Sequence, residues 1–210
     1  DAFPFAHDEF IMGEGKRIDV ALDDCQVSVR DYGRGIPLDK VVQCVSIMNT
    51  GGKYNSDAFQ YSIGLNGVGT KAVNALSSQF IVRSMRDGKF HEAKFVNGVL
   101  ESDYYGDTEE KNGTLVTFVP DGKLFPNYKF RLEYIERRMW MYAYLNSGLS
   151  LYFNGERYFS KNGLQDLLET ETGEERLYSV IYSRDKTIEF AITHSDNYGE
   201  TSFSFVNGQY

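Results

Sequence analysis

Two dipeptides, Asp87-Gly88 and Asn97-Gly98, each stand between runs that alternate apolar and polar residues, namely 80–86, 89–95 and 99–105. Asp-Gly and Asn-Gly supply the pair of positive φ angles that a two-residue hairpin turn demands, so the three runs read as consecutive antiparallel strands. Residues 17–22 and 26–31 alternate in the same way on either side of a turn at Asp23-Asp24, and residues 113–120 form a further strand. Helical spacing marks residues 38–48 and the segment from Lys71 to about Ser78, with a short first helix from Pro4 to Gly13. Residues 1–121 therefore predict an α+β domain, an antiparallel sheet with helices on one face.

Beyond a Pro- and Gly-bearing linker at 121–128 the pattern changes. Residues 131–145 predict a long amphipathic helix whose apolar stripe, Tyr134, Ile135, Met139, Tyr142 and Leu145, faces a core. A hairpin around Asn154-Gly155 follows, then a short helix at 164–168, an acidic solvated loop at 169–175, and strands at 177–183, 187–193 and 201–206. A domain boundary falls within 121–155, giving units of 1–121 and 122–210.

The 210 residues carry 22 Lys and Arg against 30 Asp and Glu, a net charge of −8. That balance argues against this segment being the main surface that grips DNA, because affinity for phosphate backbones comes from clustered cations. Cys25 and Cys44 suit free thiols in a reducing cytoplasm, and the three histidines show no metal-ligand spacing. No apolar run is long enough to cross a bilayer. The chain opens on Asp1 and is expected to be part of something longer.

Three glycines crowd Gly64-Leu65-Asn66-Gly67-Val68-Gly69-Thr70, which runs directly into a helical pattern. Such a turn leaves backbone N–H groups free at a helix start, a place suited to phosphate, although a glycine turn also serves as a plain connector. It is neither a Walker A loop nor a Rossmann fingerprint. Upstream, Asp31-Tyr32-Gly33-Arg34-Gly35-Ile36-Pro37 leaves a strand end with an acceptor carboxylate and two glycines that allow a flat ligand to approach; an ordinary Asp-x-Gly turn has the same form. Residues 49–62 make a long polar loop, a lid from which Lys53 reaches phosphate or a surface connector with a solvated lysine.

Taken in order and spacing, 31–37, Gly51-Gly52-Lys53-Tyr54, 64–77 and Gly113-Thr114 resemble the ATPase region of bacterial type IIA topoisomerase B subunits, members of the gyrase, Hsp90, histidine kinase and MutL ATPase superfamily. Residues 8–13 and the Leu65-Asn66-Gly67-Val68-Gly69-Thr70-Lys71 form of the glycine loop lean to the topoisomerase IV branch. The resemblance runs from about Asp8 through Gln209. It implies a Bergerat-type ATPase sandwich followed by the beginning of a transducer domain, with ATP as ligand and Mg²⁺ in the parent enzyme. By the same resemblance Asp31 accepts the adenine amino group, with Gly33, Gly35, Ile36 and Thr114 around the base. Gly64, Leu65, Asn66, Gly67, Val68 and Gly69 cradle the phosphates, assisted by Lys53. Arg34 pairs with Glu9, and Arg34, Pro37 and Arg86 form the rim used by aminocoumarin inhibitors. The parent protein is implied to be a cytoplasmic, nucleoid-associated bacterial enzyme. It would work with an A subunit and DNA, dimerise on ATP binding, and involve no membrane.

One motif departs from the pattern. The family's Glu-x-x-x-Asn, whose Glu activates water and whose Asn ligates Mg²⁺, maps onto Asp1 and Phe5. A phenyl ring offers no oxygen to Mg²⁺, so no metal ligand is expected in the chain and Asp1 is the only counterpart of the general base. The competing expectation is a nucleotide- or inhibitor-binding piece that does not hydrolyse ATP.

Overall fold

The computed structural model describes residues 15–48, 67–185 and 187–206. The predicted helix at 4–13, the loop at 49–62 and the sites placed on Asp1, Phe5, Glu9, Lys53, Gly64, Leu65 and Asn66 lie outside these described residues.

The first unit runs to Arg131 and takes in Tyr152–Glu156. In it β1 (Arg17–Asp23) and β2 (Gln26–Asp31) form a hairpin, followed by a 3-10 turn (Leu38–Lys40), α1 (Val41–Ser46) and α2 (Gly69–Ala75). The meander β3 (Ser77–Arg86), β4 (Lys89–Val96), β5 (Val99–Asp107) and β6 (Gly113–Pro120) comes next. With β7 (Ser150–Phe153) and β8 (Glu156–Tyr158), the strands lie in the order β5-β4-β3-β6-β2-β1-β7-β8.

The turn chemistry explains the hairpins. Asp87 and Gly88, Asn97 and Gly98, and Asn154 and Gly155 all have positive φ at both central positions, which matches the twist of the flanking strands. In the β1–β2 hairpin Asp23 pairs with Gln26, so the turn sits at Asp24-Cys25, one residue later than the sequence suggested, with Asp24 at φ 51°.

Alternation along β3 and β4 sends Phe80, Val82, Ala93 and Phe95 to one face, where Val116 of β6 joins them. Ile36, Val41 and Val45 cover that face, and all eight side chains are buried. The rings of Phe80 and Phe95 meet edge to face at 6.0 Å. Each large side chain so buried stabilises the fold by about 1.5–3 kcal/mol, which is what holds two helices of six and seven residues that could not persist alone.

Both helices are shorter than their spacing suggested. Ile47 and Met48 lie past the end of α1 and are exposed, and Ser77 already belongs to β3, where its hydroxyl donates to Val73 O at 2.6 Å.

The second unit comprises Leu132–Leu151 and the residues from Arg157 onward. It holds α3 (Leu132–Leu145), α4 (Leu164–Thr172), β9 (Ile181–Arg184) and β10 (Glu189–Ile192). Ala143, Leu149, Leu151, Tyr158 and Leu167 are buried, and Trp140 stacks on Tyr144 and meets Tyr158 edge-on. Tyr134 is exposed, not core, because it sits roughly 80–140° around the helix from Ile135, Met139 and Tyr142.

The acidic run is partly helical. Glutamates are good helix formers, Gln165 bonds Glu169 one turn on, and α4 therefore continues to Thr172, stopping at Gly173 with φ +56°. β9 and β10 are shorter than predicted, and residues 201–206 form no strand, since their strand-like composition finds only an isolated bridge at Val206.

Candidate functional site

Asp31 is the last residue of β2 and is only 1% exposed. Pairing of Arg30 with Leu115 sets it beside Thr114 of β6, which is itself fully buried. Asp31 Oδ1 accepts the Gly33 N–H at 2.9 Å, the Asx-type bond that turns the chain out of the strand. Asp31 Oδ2 and Thr114 Oγ1 have no hydrogen-bond partner among the described residues. Burial pushes the Asp31 carboxyl above the usual carboxylate range, opposed in part by the Gly33 N–H, Thr114 and the Arg30 guanidinium. A carboxylate oxygen buried without a well-formed hydrogen bond normally costs stability, so this arrangement suits a ligand that presents a donor to it.

The backbone around the carboxylate is held tightly. Gly35 has φ +76°, and a Cβ there would lie 2.6 Å from Met85 O and 3.0 Å from Ser84 Oγ. Gly113 has φ +137°, and a Cβ would strike the Asp31 carbonyl and the Arg30 side chain. Arg30 bonds the Asp31 carbonyl through Nη1 and Lys111 O through Nη2 at 2.6 Å, joining the end of β2 to the turn before β6. Gly33, Gly35 and Ile36 are buried, whereas Arg34 and Pro37 are exposed. Arg86 stands at the end of β3 with its guanidinium 3.5 Å from Asp87.

Gly67, at φ +55°, opens the described part of the glycine turn, and Val68 at the helix start is exposed. Lys71 Nζ turns back along α2 to donate to Gly67 O at 2.6 Å and is 8% exposed. Burial draws the Lys71 ammonium below the usual lysine range, with the Cys44 sulfur acting the other way. Asn74, buried on the same helix, donates to Val45 O at 3.0 Å and ties α2 to α1.

Sequence reasoning singled out Asp31, Gly33, Gly35, Ile36 and Thr114, and the fold brings Asp31, Gly35 and Thr114 to the junction of β2, β3 and β6. It passed over Arg30, Ser84, His91 and Lys71. Ser84 and His91 had a signal in the alternation of β3 and β4, which sends two polar residues to the buried face. Among the described residues no group of three or more His, Cys, Asp or Glu side chains could hold a metal ion, and no helix is long and apolar enough to cross a membrane. Cys25 and Cys44 are free.

No protein-family model matches the chain. The DNA topoisomerase 4 B subunit of Borreliella burgdorferi is 52% identical over 204 residues, covering 97% of this chain and 34% of that protein. The DNA gyrase B subunit of Helicobacter pylori is 33% identical over 227 residues, covering 96% of this chain and 29% of the relative. The chain thus spans about a third of the length of these curated relatives. Among solved structures, the 43K ATPase domain of Thermus thermophilus gyrase B in complex with an aminocoumarin matches with a TM-score of 0.73 at 30% identity, over 92% of this chain and 55% of that one. The gyrase B-subunit of Myxococcus xanthus has the same fold, with a TM-score of 0.77 at 19% identity over 97% and 63% of the two chains.

Proposed function

The chain belongs to the family of the B subunits of gyrase and topoisomerase IV, within their ATPase region, and from that premise we propose that it binds ATP at the end of β2. The observation that carries this reading is the buried, unpartnered Asp31 Oδ2 beside the unpartnered Thr114 Oγ1. An adenine amino group would donate to Oδ2, and Thr114 would offer its hydroxyl to the base directly or through water. Gly35 lets the adjoining loop pack closely on β3, since any side chain there would meet Met85 O and Ser84 Oγ.

Gly67, Val68 and Gly69, continuing Gly64, Leu65 and Asn66, would cradle the phosphates with Lys53 assisting. Arg34, Pro37 and Arg86 would form an outer rim open to inhibitors, with Glu9 as the partner of Arg34. Residues 1–121 would be the nucleotide domain and 122–210 the start of the transducer. In the parent protein, bound ATP would dimerise two B subunits and close a gate behind a transported DNA duplex, and hydrolysis would reset it, with the A subunit a partner through parts outside this chain. Such a protein would act in the bacterial cytoplasm on the nucleoid.

Hydrolysis needs a positioned base and a metal, and here the residues do not fit the family's use of Mg²⁺. Phe5 at the ligand position has no oxygen to give. Mg²⁺ therefore belongs to the parent enzyme's chemistry. The same two positions, Asp1 and Phe5, favour a second reading in which the chain binds nucleotide without turning it over.

Calorimetric titration with a non-hydrolysable ATP analogue, with and without Mg²⁺, separates the readings. Binding that Mg²⁺ leaves unchanged is expected; no binding at all would overturn the proposal. Phosphate release in Mg²⁺ that Asp31→Asn abolishes would sink the second reading.

A further inference from the structure

A row of polar side chains crosses the sheet directly beneath the loop that follows Asp31. Thr114 on β6 pairs with Ser84 on β3, Ser84 with His91 on β4, and His91 with Tyr105 on β5. The first three are buried, in a face otherwise filled by Phe80, Val82, Ala93 and Phe95. Two of them hold the loop. Ser84 Oγ donates to Ile36 O at 2.7 Å, and His91 Nδ1 lies 2.6 Å from Leu38 O. A carbonyl oxygen only accepts, so Nδ1 carries the hydrogen in this bond.

The imidazole is clamped in turn from the edge of the sheet. The Tyr105 ring stacks on it with centroids 3.8 Å apart and planes 19° apart, and Asp103 Oδ2 stands 3.3 Å from Nε2. Ser84 Oγ is also one of the atoms nearest the space a Cβ would fill at Gly35.

Resting on the nucleotide reading of the Asp31 site, we infer that His91, seconded by Ser84, is a positioning residue for base recognition. It fixes the carbonyls of Ile36 and Leu38, and with them the Gly33–Ile36 wall, against the Asp31 carboxylate. Neither side chain touches the base. Their effect is on selectivity, because a wall that drifts relaxes the geometry in which Asp31 distinguishes a donor from an acceptor on the ring. A hypoxanthine base presents a carbonyl where adenine presents its amino group, so the ratio of affinities for non-hydrolysable ATP and ITP analogues reads this directly.

In the full chain, His91→Leu should lower the preference for the ATP analogue about three- to tenfold, the scale of one lost net hydrogen bond. His91→Asn should restore the preference, since its amide nitrogen occupies the place of Nδ1. His91→Gln, whose nitrogen takes the place of Nε2, should not. Ser84→Ala, which removes the companion bond from a small side chain, should give a smaller loss in the same direction and serves if His91→Leu fails to fold. An unchanged ATP to ITP ratio in the folded variants, or failure of Asn to do better than Gln, would overturn the inference. Asp31→Asn separates the two levels: if it too leaves the ratio unchanged, the nucleotide reading itself falls. If it removes the preference while His91→Leu and Ser84→Ala do not, only the positioning role falls.

Discussion

Asp31 concentrates the conflict between folding and binding in one carboxylate. With one oxygen bonded to Gly33 N–H and the other unpartnered, its ionised form is poorly solvated, and burial accordingly raises its pKa. Asp31→Asn replaces the unpartnered carboxylate oxygen with a neutral amide and removes the cost of burying a charge there. The variant should therefore be more stable than the parent by about 1 kcal/mol in urea denaturation at neutral pH. It should bind the ATP analogue about 1.5–3 kcal/mol more weakly, the scale for a hydrogen bond to a charged group. A variant that loses stability as well as affinity would mean that the carboxylate serves the fold. A folded pKa above the unfolded value contributes stability that is complete below the unfolded pKa and is lost as pH rises through the folded one. Adenine binding requires the ionised form and runs the other way. Affinity should fall on acidification from a pH above the ordinary carboxylate range, and Asp31→Asn should flatten that limb of the calorimetric profile.

Among elements, the short helices act by what their ends hold. At the start of α2, Gly67 takes φ +55°, so a β-branched residue there strains the turn before any ligand arrives. Gly67→Val should weaken the ATP analogue more than adenosine, and equal losses would count against a phosphate cradle. At the start of α4, the Asp166 carboxylate accepts Ser160 Oγ at 2.7 Å and the N–H groups of Lys161 and Asn162, and Ser160 Oγ accepts the Gly163 N–H. Partial burial alone would raise the Asp166 pKa, but the bonds from Asn162, Ser160 and Lys161 outweigh it and hold the carboxyl low. A depressed folded pKa contributes stability present above the unfolded pKa and lost as pH falls through the folded one. Asp166→Ala should thus cost about 1 kcal/mol near neutrality, with the penalty fading in acid, when unfolding is followed by circular dichroism. These elements also mark what the sequence reveals. Asp-Gly and Asn-Gly turns announce β3 to β5 because the dipeptide carries its own backbone geometry. The extent of α4 and the missing strand at 201–206 were not legible, because helix length turns on a glycine stop and a strand exists only where another pairs with it. Asp31 could be read from its glycines. Ser84 and His91 showed only as polar residues on the buried face of β3 and β4, and what they hold did not show, since their carbonyl partners lie 48 and 53 residues away.

For the whole molecule the consequence is that the described site residues and the core beneath them fall in the first of two units. Asp31, Gly35, Thr114, Ser84 and His91 rest on the sheet carrying Phe80, Val82 and Phe95, whereas Leu149, Leu151 and Leu167 are buried residues of the second unit. A ligand that binds only the folded first unit stabilises it by mass action, by about 2.7 kcal/mol at a hundred times its dissociation constant. Amide exchange in the presence of the non-hydrolysable ATP analogue should therefore slow at residues 33–36, at the start of β6 and along β3. It should change little in α3 and α4. The net charge of −8 adds a control, because a chain with this balance gains little from phosphate backbones, and duplex DNA at physiological salt should leave the exchange pattern as it was. Protection spread evenly over both units would show that the nucleotide acts on the chain as one body, and protection by DNA equal to that by the ATP analogue would show that a phosphate alone is what the glycine turn binds.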